Sequence, residues 1–156
     1  MPDVTFDIPL KVKSLLRDQY LRHPNPKIQS HLIETEKQKW MTALIASGVR
    51  HLLPPVVMFC ARNNKKLALR ITAHRFKSLD DDNLIVSVNK FIIDSLVRAE
   101  ILPDDSSAIF RVRSFSQIPC KRGQQKTILH FSPDPEDATG MRWHNFILKH
   151  ERTNHV

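Results

Sequence analysis

The chain has 156 residues, with 24 Lys and Arg against 16 Asp and Glu, so its formal net charge is +8. Apolar residues make up 41% and charged residues 26%, which is ordinary for a globular domain and excludes a low-complexity chain. Every apolar stretch is shorter than the ~18 residues that a membrane span needs. A pI near 9.8 fits a nucleic-acid partner, because Lys and Arg neutralise phosphates.

The N-terminal residues and the cysteines bear on location. The first ten residues lack the basic start and apolar block of a signal peptide. Cys60 and Cys120 lie far apart in no paired motif, so we expect reduced thiols and no disulfide. We therefore expect a cytoplasmic protein with no membrane association.

The first half of the chain predicts three strands, one main helix and a short helix within a loop. Alternation and β-branched residues indicate the strands, and apolar residues at near-helical spacing indicate the helix. In chain order, the predicted elements are a strand at 4–10, a loop with a short helix at 14–20, a helix at 29–47 ended by Gly48, a strand at 56–60 after Pro54-Pro55, a turn at 62–66 and a strand at 67–74.

The second half predicts one more helix and two more strands. The helix contains neither Gly nor Pro, is capped by Asp81 or Asp82 and is ended by Pro103. The predicted elements are that helix at 84–101, a turn at 104–107, a strand at 108–118, a hairpin turn at 120–125, a strand at 126–132, a loop at 133–137 and a short helix or strand at 141–148.

This order predicts an α/β (α+β) fold, with a small mixed sheet packed against two main helices. One domain of this size can bury a core. We place that domain at residues 1–132 and treat residues 133–156 as a C-terminal extension of unknown role.

Two acidic loops flank the second predicted helix. Asp80-Asp81-Asp82-Asn83 precedes it, and Asp104-Asp105 follows it. If the strand after the helix brings Asp105 beside Asp80 and Asp82, their mutual repulsion is relieved by a divalent cation with oxygen ligands. The alternative is structural, because Asp is a common N-cap and Pro-Asp-Asp-Ser is ordinary turn chemistry.

A cation held by Asp80, Asp82 and Asp105 would supply phosphodiester chemistry. Mg²⁺ or Mn²⁺ would lower the pKa of a bound water and stabilise charge on the attacked phosphoryl oxygens. Lys90, two turns into the helix, is the candidate for an additional cationic group. Such a site on a basic protein predicts a metal-dependent nuclease.

The same residues resemble the RusA family of Holliday-junction resolvases, which are bacterial and prophage endonucleases. The family has an Asp-x-Asp-Asn motif, a Lys-x-x-x-Asp-Ala-Leu helix and a closing Asp-Asp-Ser/Ala. Here the matching residues are Asp80 to Asn83, Lys90-x-x-x-Asp94-Ser95-Leu96 and Asp104-Asp105-Ser106. The similarity covers roughly residues 4 to 132, and its specific part is 78 to 107.

The resemblance implies a RusA-like fold and a homodimer that binds four-way DNA in recombination and repair and nicks opposed strands with Mg²⁺. By position, Asp80, Asp82 and Asp105 match the metal-binding aspartates, and Lys90 matches the catalytic lysine. The stretch from Asn83 to Lys90 is about one helical turn longer than in the best-known member, which moves Lys90 about 5.4 Å along the axis.

Basic residues surround the predicted site in turns and strands, where they would contact phosphates and read no base sequence. The alternative is that they are solvated surface charges. The eight candidates for DNA binding are Lys65, Lys66, Arg75, Lys77, Arg111, Arg113, Lys121 and Arg122.

The sequence thus predicts an Mg²⁺-dependent endonuclease, with Mn²⁺ as a possible substitute, that hydrolyses phosphodiester bonds in branched DNA. One alternative is a non-catalytic, DNA-binding recombination-accessory protein with the same fold. Another is a structure-specific nuclease for other branched DNA or for RNA. The histidines match no zinc motif, and no glycine-rich phosphate loop is present.

Overall fold

The structure, a computed structural model, describes residues 2–13, 25–79 and 81–154, with the backbone alone for residues 81–83, 153 and 154. The helix predicted at 14–20 therefore lies outside the described residues. The described strands are β1 (Val4–Ile8), β2 (Lys65–Arg75), β3 (Phe110–Pro119) and β4 (Lys126–Asp137).

Five helices accompany the strands within the described residues. They are α1 (Pro26–Ala46), α2 (Val49–Leu52), α3 (Pro54–Arg62), α4, and α5 (Arg142–Asn154). The helix α4 consists of consecutive segments Asp81–Val88, Asn89–Ile93 and Asp94–Arg98, of which the middle one is a π-helix. The backbone keeps right-handed helical angles at both junctions, so α4 is one helix with a π-segment inside it.

The four strands form one mixed sheet in the order β1-β4-β2-β3. The strand β4 is antiparallel to both β1 and β2, and β2 is parallel to β3. This confirms the predicted α+β class with a small mixed sheet. The predicted hairpin at 120–125 is wrong, because β2 lies between β3 and β4; that connection crosses β2 and contains a single 3₁₀ turn, Arg122–Gln124.

Parallel β2 and β3 require a crossover connection, which α4 provides. Leu67 pairs with Phe110 at one end of the two strands, and Arg75 pairs with Pro119 at the other. The chain therefore leaves β2 at one end of the sheet, returns along α4 and enters β3 at the opposite end. This topology decides where the two acidic loops lie.

One hydrophobic core joins the sheet to the helices. Trp40 and Leu44 of α1 are fully buried in it, and Phe6 of β1 meets Phe131 of β4 edge to face, with ring centroids 6.1 Å apart. Helix α1 packs along α4, and α3 lies against β2 and β4. Burying side chains of this size stabilises the fold by about 1.5–3 kcal/mol each.

The strand predicted at 56–60 is wrong, because these residues lie in α3. Two prolines at the first helical positions start the helix, where a missing N–H costs nothing. Val56, Val57, Cys60 and Ala61 are its buried residues, a spacing that lines one helical face. A short apolar run rich in valine does not distinguish a strand from a buried helix.

Helix α4 ends earlier than the predicted residue 101. Glu100 adopts a left-handed conformation with φ of 59°. Its N–H donates to the carbonyl of Val97, and the N–H of Ile101 donates to the carbonyl of Leu96, both at 3.0 Å. These two bonds form a Schellman motif. Glycine is the usual residue at its left-handed position, and here Glu100 takes that place.

The C-terminal residues continue the sheet and the core. The loop predicted at 133–137 is part of β4, so the boundary drawn at residue 132 falls inside a strand. Pro133 is tolerated because it lies beside an irregularity in the β2–β4 register. Helix α5 packs on α3, and its buried Trp143 donates from Nε1 to the carbonyl of Lys65 at 2.7 Å.

Among the described residues, no single helix is long and apolar enough to cross a membrane. Taken together, α1 and the α2–α3 segment have the length and apolar composition of a membrane span, but they are bent by 63° relative to each other. Both segments contribute buried side chains to the core, among them Trp40 and Val57.

Candidate functional site

The first acidic loop lies where β2 ends and α4 begins. Asp80 and the side chains of Asp81, Asp82 and Asn83 lie outside the described part, but the backbone of α4 begins at Asp81. The preceding Leu79 is fixed to β3, because its N–H donates to Oε1 of Gln117 at 2.8 Å and its carbonyl accepts from Nε2. Asp81 and Asp82 begin a helix, and the backbone dipoles at a helix N-terminus favour negative charge.

The second acidic loop distinguishes its two neighbouring aspartates. Oδ1 of Asp104 accepts from the N–H of Ser106, and Oδ2 is ion-paired with Arg142 at the start of α5. Asp105 is exposed and forms no ion pair with a residue that the structure describes. Asp104 is thus engaged within the fold, whereas Asp105 is exposed and its role as a metal ligand stays a prediction.

The expectation that the two acidic loops meet within one chain is wrong. Residue 79 contacts Gln117 near the end of β3, whereas Ile109, just after the second acidic loop, accepts from Leu67 at the start of β2. At about 1.5 Å per residue, α4 separates its two ends by roughly 26 Å. A parallel crossover imposes this separation, and the sequence alone did not reveal that β2 and β3 are parallel.

Lys90 lies within the π-segment of α4 and faces α1. Its Nζ is 3.9 Å from Asp94, which also pairs with the buried Lys37 of α1 at 3.5 Å. Along the helix axis Lys90 is about 12 Å from Asp82, farther than a lysine side chain reaches. Its predicted catalytic role is not tested by this geometry, but it would need a substrate group that extends along α4.

Four of the eight predicted DNA-binding cations are engaged with carboxylates at the end of β4. Lys65 pairs with Asp137 at 2.5 Å, and Lys66 pairs with Glu136 at 2.9 Å. Two arginines of β3 join them: Arg111 reaches Glu136 at 2.7 Å, and Arg113 forms a two-pronged pair with the buried Asp134. These pairs tie β2 and β3 to β4 and neutralise much of that surface.

The same ion pairs shift the pKa values of the residues that form them. Hydrogen bonding from Arg113 holds the pKa of Asp134 below its ordinary value, and hydrogen bonding from Lys66 does the same to the pKa of Glu136. In turn, Asp134 raises the pKa of Arg113. Both carboxylates therefore stay ionised well into the acidic range, and the pairs persist there.

Arg75 also has a structural role. It is buried, its guanidinium donates to the carbonyl of Val12, and its Nε donates to the carbonyl of Lys77 at 2.8 Å. These bonds clamp the end of β2 to the segment after β1. The guanidinium is therefore occupied in fixing the backbone next to the first acidic loop.

The remaining three candidates lie together beside that loop. Lys77, Lys121 and Arg122 are exposed and form no ion pair with any residue in the described ranges. The guanidinium carbon of Arg122 lies 4.8 Å from the ring centroid of Phe76. Three of the eight predicted DNA-binding cations thus lie close to the N-terminal end of α4 and pair with no described carboxylate.

Sequence reasoning missed Phe76, Gln117 and Arg142. Phe76 lies between Arg75 and Lys77, shortly before the acidic loop, and this placement of an aromatic residue between two cations was visible in the sequence. Arg142 carried no such signal, because its partner Asp104 is distant along the chain and only the docking of α5 brings the two together.

Other kinds of site find no support in the geometry. Among residues with described side chains, no group of three His, Cys, Asp or Glu is arranged to hold a metal, and the predicted Asp80 and Asp82 ligands are outside that set. Burial raises the pKa of Cys60 to about 12, so its thiol stays protonated and is a poor nucleophile.

No protein-family model matches the chain, and no curated protein matches it significantly.

Proposed function

We propose that this protein is an Mg²⁺-dependent endonuclease that cuts branched DNA, as the resolvases of the RusA family do. The observation that carries the proposal is that the acidic loop at the N-terminus of α4 lies next to three exposed cations that form no ion pair with a described carboxylate. Metal-bound carboxylates would activate water for attack on a phosphodiester, and Lys77, Lys121 and Arg122 would hold the backbone on either side. A cytoplasmic location is part of the same proposal.

Asp105 enters this proposal through a second copy of the chain. Since the two acidic loops lie beyond opposite ends of the parallel strands β2 and β3, a site that uses both would take them from two chains. Asp80 and Asp82 of one chain and Asp105 of its partner would then hold Mg²⁺ or Mn²⁺ with water in the open positions. A homodimer would contain two such sites, which suits paired cuts in a four-way junction.

The outer edge of β3 offers a contact that would bring these groups together. No described strand pairs with that edge, and Ser114 and Ser116 on β3 are exposed. Antiparallel pairing of β3 with its copy around a two-fold axis sets the C-terminal end of one strand against the N-terminal end of the other. The Asp82 end of each chain would thereby approach the Asp105 end of its partner.

Cleavage of a synthetic four-way junction tests the proposal. We expect cutting in Mg²⁺ or Mn²⁺, none in a chelator, and at least a hundredfold slower cutting by Asp82→Asn and by Asp105→Asn, a loss typical when a metal's ligand or its catalysis is removed. Asp7→Asn is the matched control, because Asp7 is an exposed carboxylate on β1 whose ion pair among the described residues is with Lys126.

The main alternative is a non-catalytic protein that binds DNA in recombination. The engagement of Lys90 with Asp94 favours this alternative, because it leaves the predicted catalytic ammonium paired. A wild-type protein that binds the junction tightly but never cuts it in either metal would establish the accessory role instead.

A further inference from the structure

Phe76 is a large aromatic side chain displayed on a polar surface. It lies between β2 and α4, and 48% of it is exposed to solvent. Leaving a phenyl ring in water forgoes the stabilisation that its burial would bring. Beside the exposed cations Lys77, Lys121 and Arg122, this exposure points to a ligand that offers both a flat apolar face and negative charge.

The backbone that carries Phe76 is held in place from both sides. The buried Arg75 guanidinium bonds to the carbonyl of Lys77, and the N–H of Phe76 donates to Oε1 of Gln125 at 3.2 Å. Gln125 also donates to the carbonyl of Arg122 at 3.0 Å. The ring is therefore presented by a pre-organised loop pair, so a ligand need not pay to order it.

The surroundings of the ring carry positive charge. Arg122 places its guanidinium over the ring at 4.8 Å, and Lys77 and Lys121 are the immediate neighbours of Phe76 and Arg122 in sequence. A planar guanidinium and a phenyl ring both stack on nucleobases, while ammonium groups bind phosphates. Nucleic acid with an unstacked base can bind all of these groups at once, because its base stacks on the ring and guanidinium while its phosphates contact the lysines.

We propose that Phe76 and Arg122 form a stacking platform for an unpaired nucleobase, with Lys77 and Lys121 bound to the flanking phosphates. This inference rests on the proposed function and extends it, because a branch point exposes bases that a continuous duplex keeps stacked. The platform adjoins the acidic loop at the start of α4, so the stacked base would fix which phosphodiester lies at the metal.

The test compares the affinity for three DNAs in Ca²⁺, measured with the full-length protein: a four-way junction, a single strand and a fully paired duplex. Loss of base–aromatic stacking corresponds to about 5- to 100-fold weaker binding. We expect Phe76→Leu, which keeps the apolar bulk, to show that loss for the junction and single strand and no change for the duplex. Phe76→Trp should bind as wild type does, with fluorescence quenched by single-stranded DNA.

Two matched variants separate stacking from charge and from surface apolarity. Lys121→Ala should weaken binding to all three DNAs alike and lower the salt dependence by about one phosphate contact. Leu148→Ala, which removes an exposed apolar side chain on α5, should leave all three affinities unchanged.

The platform is refuted if Phe76→Leu binds junction and single strand as wild type does, or weakens all three DNAs equally. If the junction is cut normally in Mg²⁺ and Phe76→Leu has no effect, the platform fails while the nuclease stands. If the selective effect of Phe76→Leu is present but wild type never cuts, the platform stands and the nuclease fails. Absence of binding to any DNA overturns both.

Discussion

Two adjacent aspartates of one loop have different roles at the residue scale. Asp104 accepts from the Ser106 backbone and pairs with Arg142 of α5, so its charge is already used within the chain. Asp105 is exposed and forms no ion pair with a described residue. Tertiary packing thus makes one carboxylate of the pair a structural anchor and leaves the other as the one proposed to bind a metal.

We therefore expect the two aspartates to respond differently to removal of charge. Asp104→Asn should lower the free energy of unfolding by about 1 kcal/mol, because it weakens a partly exposed ion pair and keeps the bond to Ser106, and it should retain most cleavage. Asp105→Asn should abolish cleavage at unchanged stability. Urea unfolding and junction cleavage measure the two effects, and the reverse pattern would contradict the assignment.

At the scale of elements, the end of β4 joins three strands through charge. Asp134 forms an ion pair with Arg113 of β3. Glu136 forms ion pairs with both Lys66 of β2 and Arg111 of β3. A strand made of Pro-Asp-Pro-Glu-Asp has little intrinsic β preference. These pairs explain why the segment nevertheless continues the sheet, and together with Lys65–Asp137 they engage four of the predicted DNA-binding cations with the protein's own carboxylates.

This network predicts a loss of stability in acid. The folded pKa values of Asp134 and Glu136 are lowered from ordinary values of 3.8 and 4.5, so the unfolded chain binds protons first as the pH falls. Their stabilising contribution is therefore fully present above those ordinary values and is lost as the pH falls through the lowered folded values.

Asp134→Asn should make the free energy of unfolding depend less on pH in the acidic range. Removing the carboxylate destabilises the protein at pH 7, and the difference from wild type should shrink as the pH approaches 3, where wild-type Asp134 is itself protonated in the unfolded chain. Urea unfolding at several pH values between 7 and 3 measures the difference. A difference that stays constant over that range would show that Asp134 does not contribute through its charge.

At the scale of the whole molecule, the proposed site depends on two chains. The crossover through α4 holds the acidic loops apart within one chain, and a two-fold pairing at β3 would join each loop to the opposite loop of the partner. The dimer would therefore be needed for chemistry as well as for matching the symmetry of a four-way junction.

Mixing two inactive variants tests this arrangement. When Asp82→Asn and Asp105→Asn chains exchange into a heterodimer, a site shared between chains leaves one site intact and one doubly altered. We expect the mixture to regain up to about half of the nicking activity per heterodimer, by the symmetry of two equivalent sites, and to cut one strand of the junction. Neither variant alone should do so.

The same mixture remains inactive if each chain builds its own site, because every chain then lacks one ligand. Subunit exchange should be verified by mass, with differently tagged chains, before the mixture is assayed. A mixture of wild type and Asp7→Asn chains provides the fully active reference.

The sequence by itself determined the element types that have strong local signals. Period-two alternation predicted β1 and β2, helical spacing predicted α1 and α4, and the acidic loops at the two ends of α4 were visible from their composition. Local signals failed where two structures share one pattern, as in the valine-rich start of α3, or where the stop signal was unusual, as at Glu100 in a left-handed conformation.

Only the tertiary structure decided how these pieces relate to one another. Strand order and the parallel pairing of β2 with β3 depend on contacts between distant residues, and these separated the acidic loops that sequence reasoning had brought together. Long-range ion pairs at Asp134 and Asp104 likewise determined which charged residues remain free. Position along the chain shows which chemical groups are present, but packing determines which of them face a ligand.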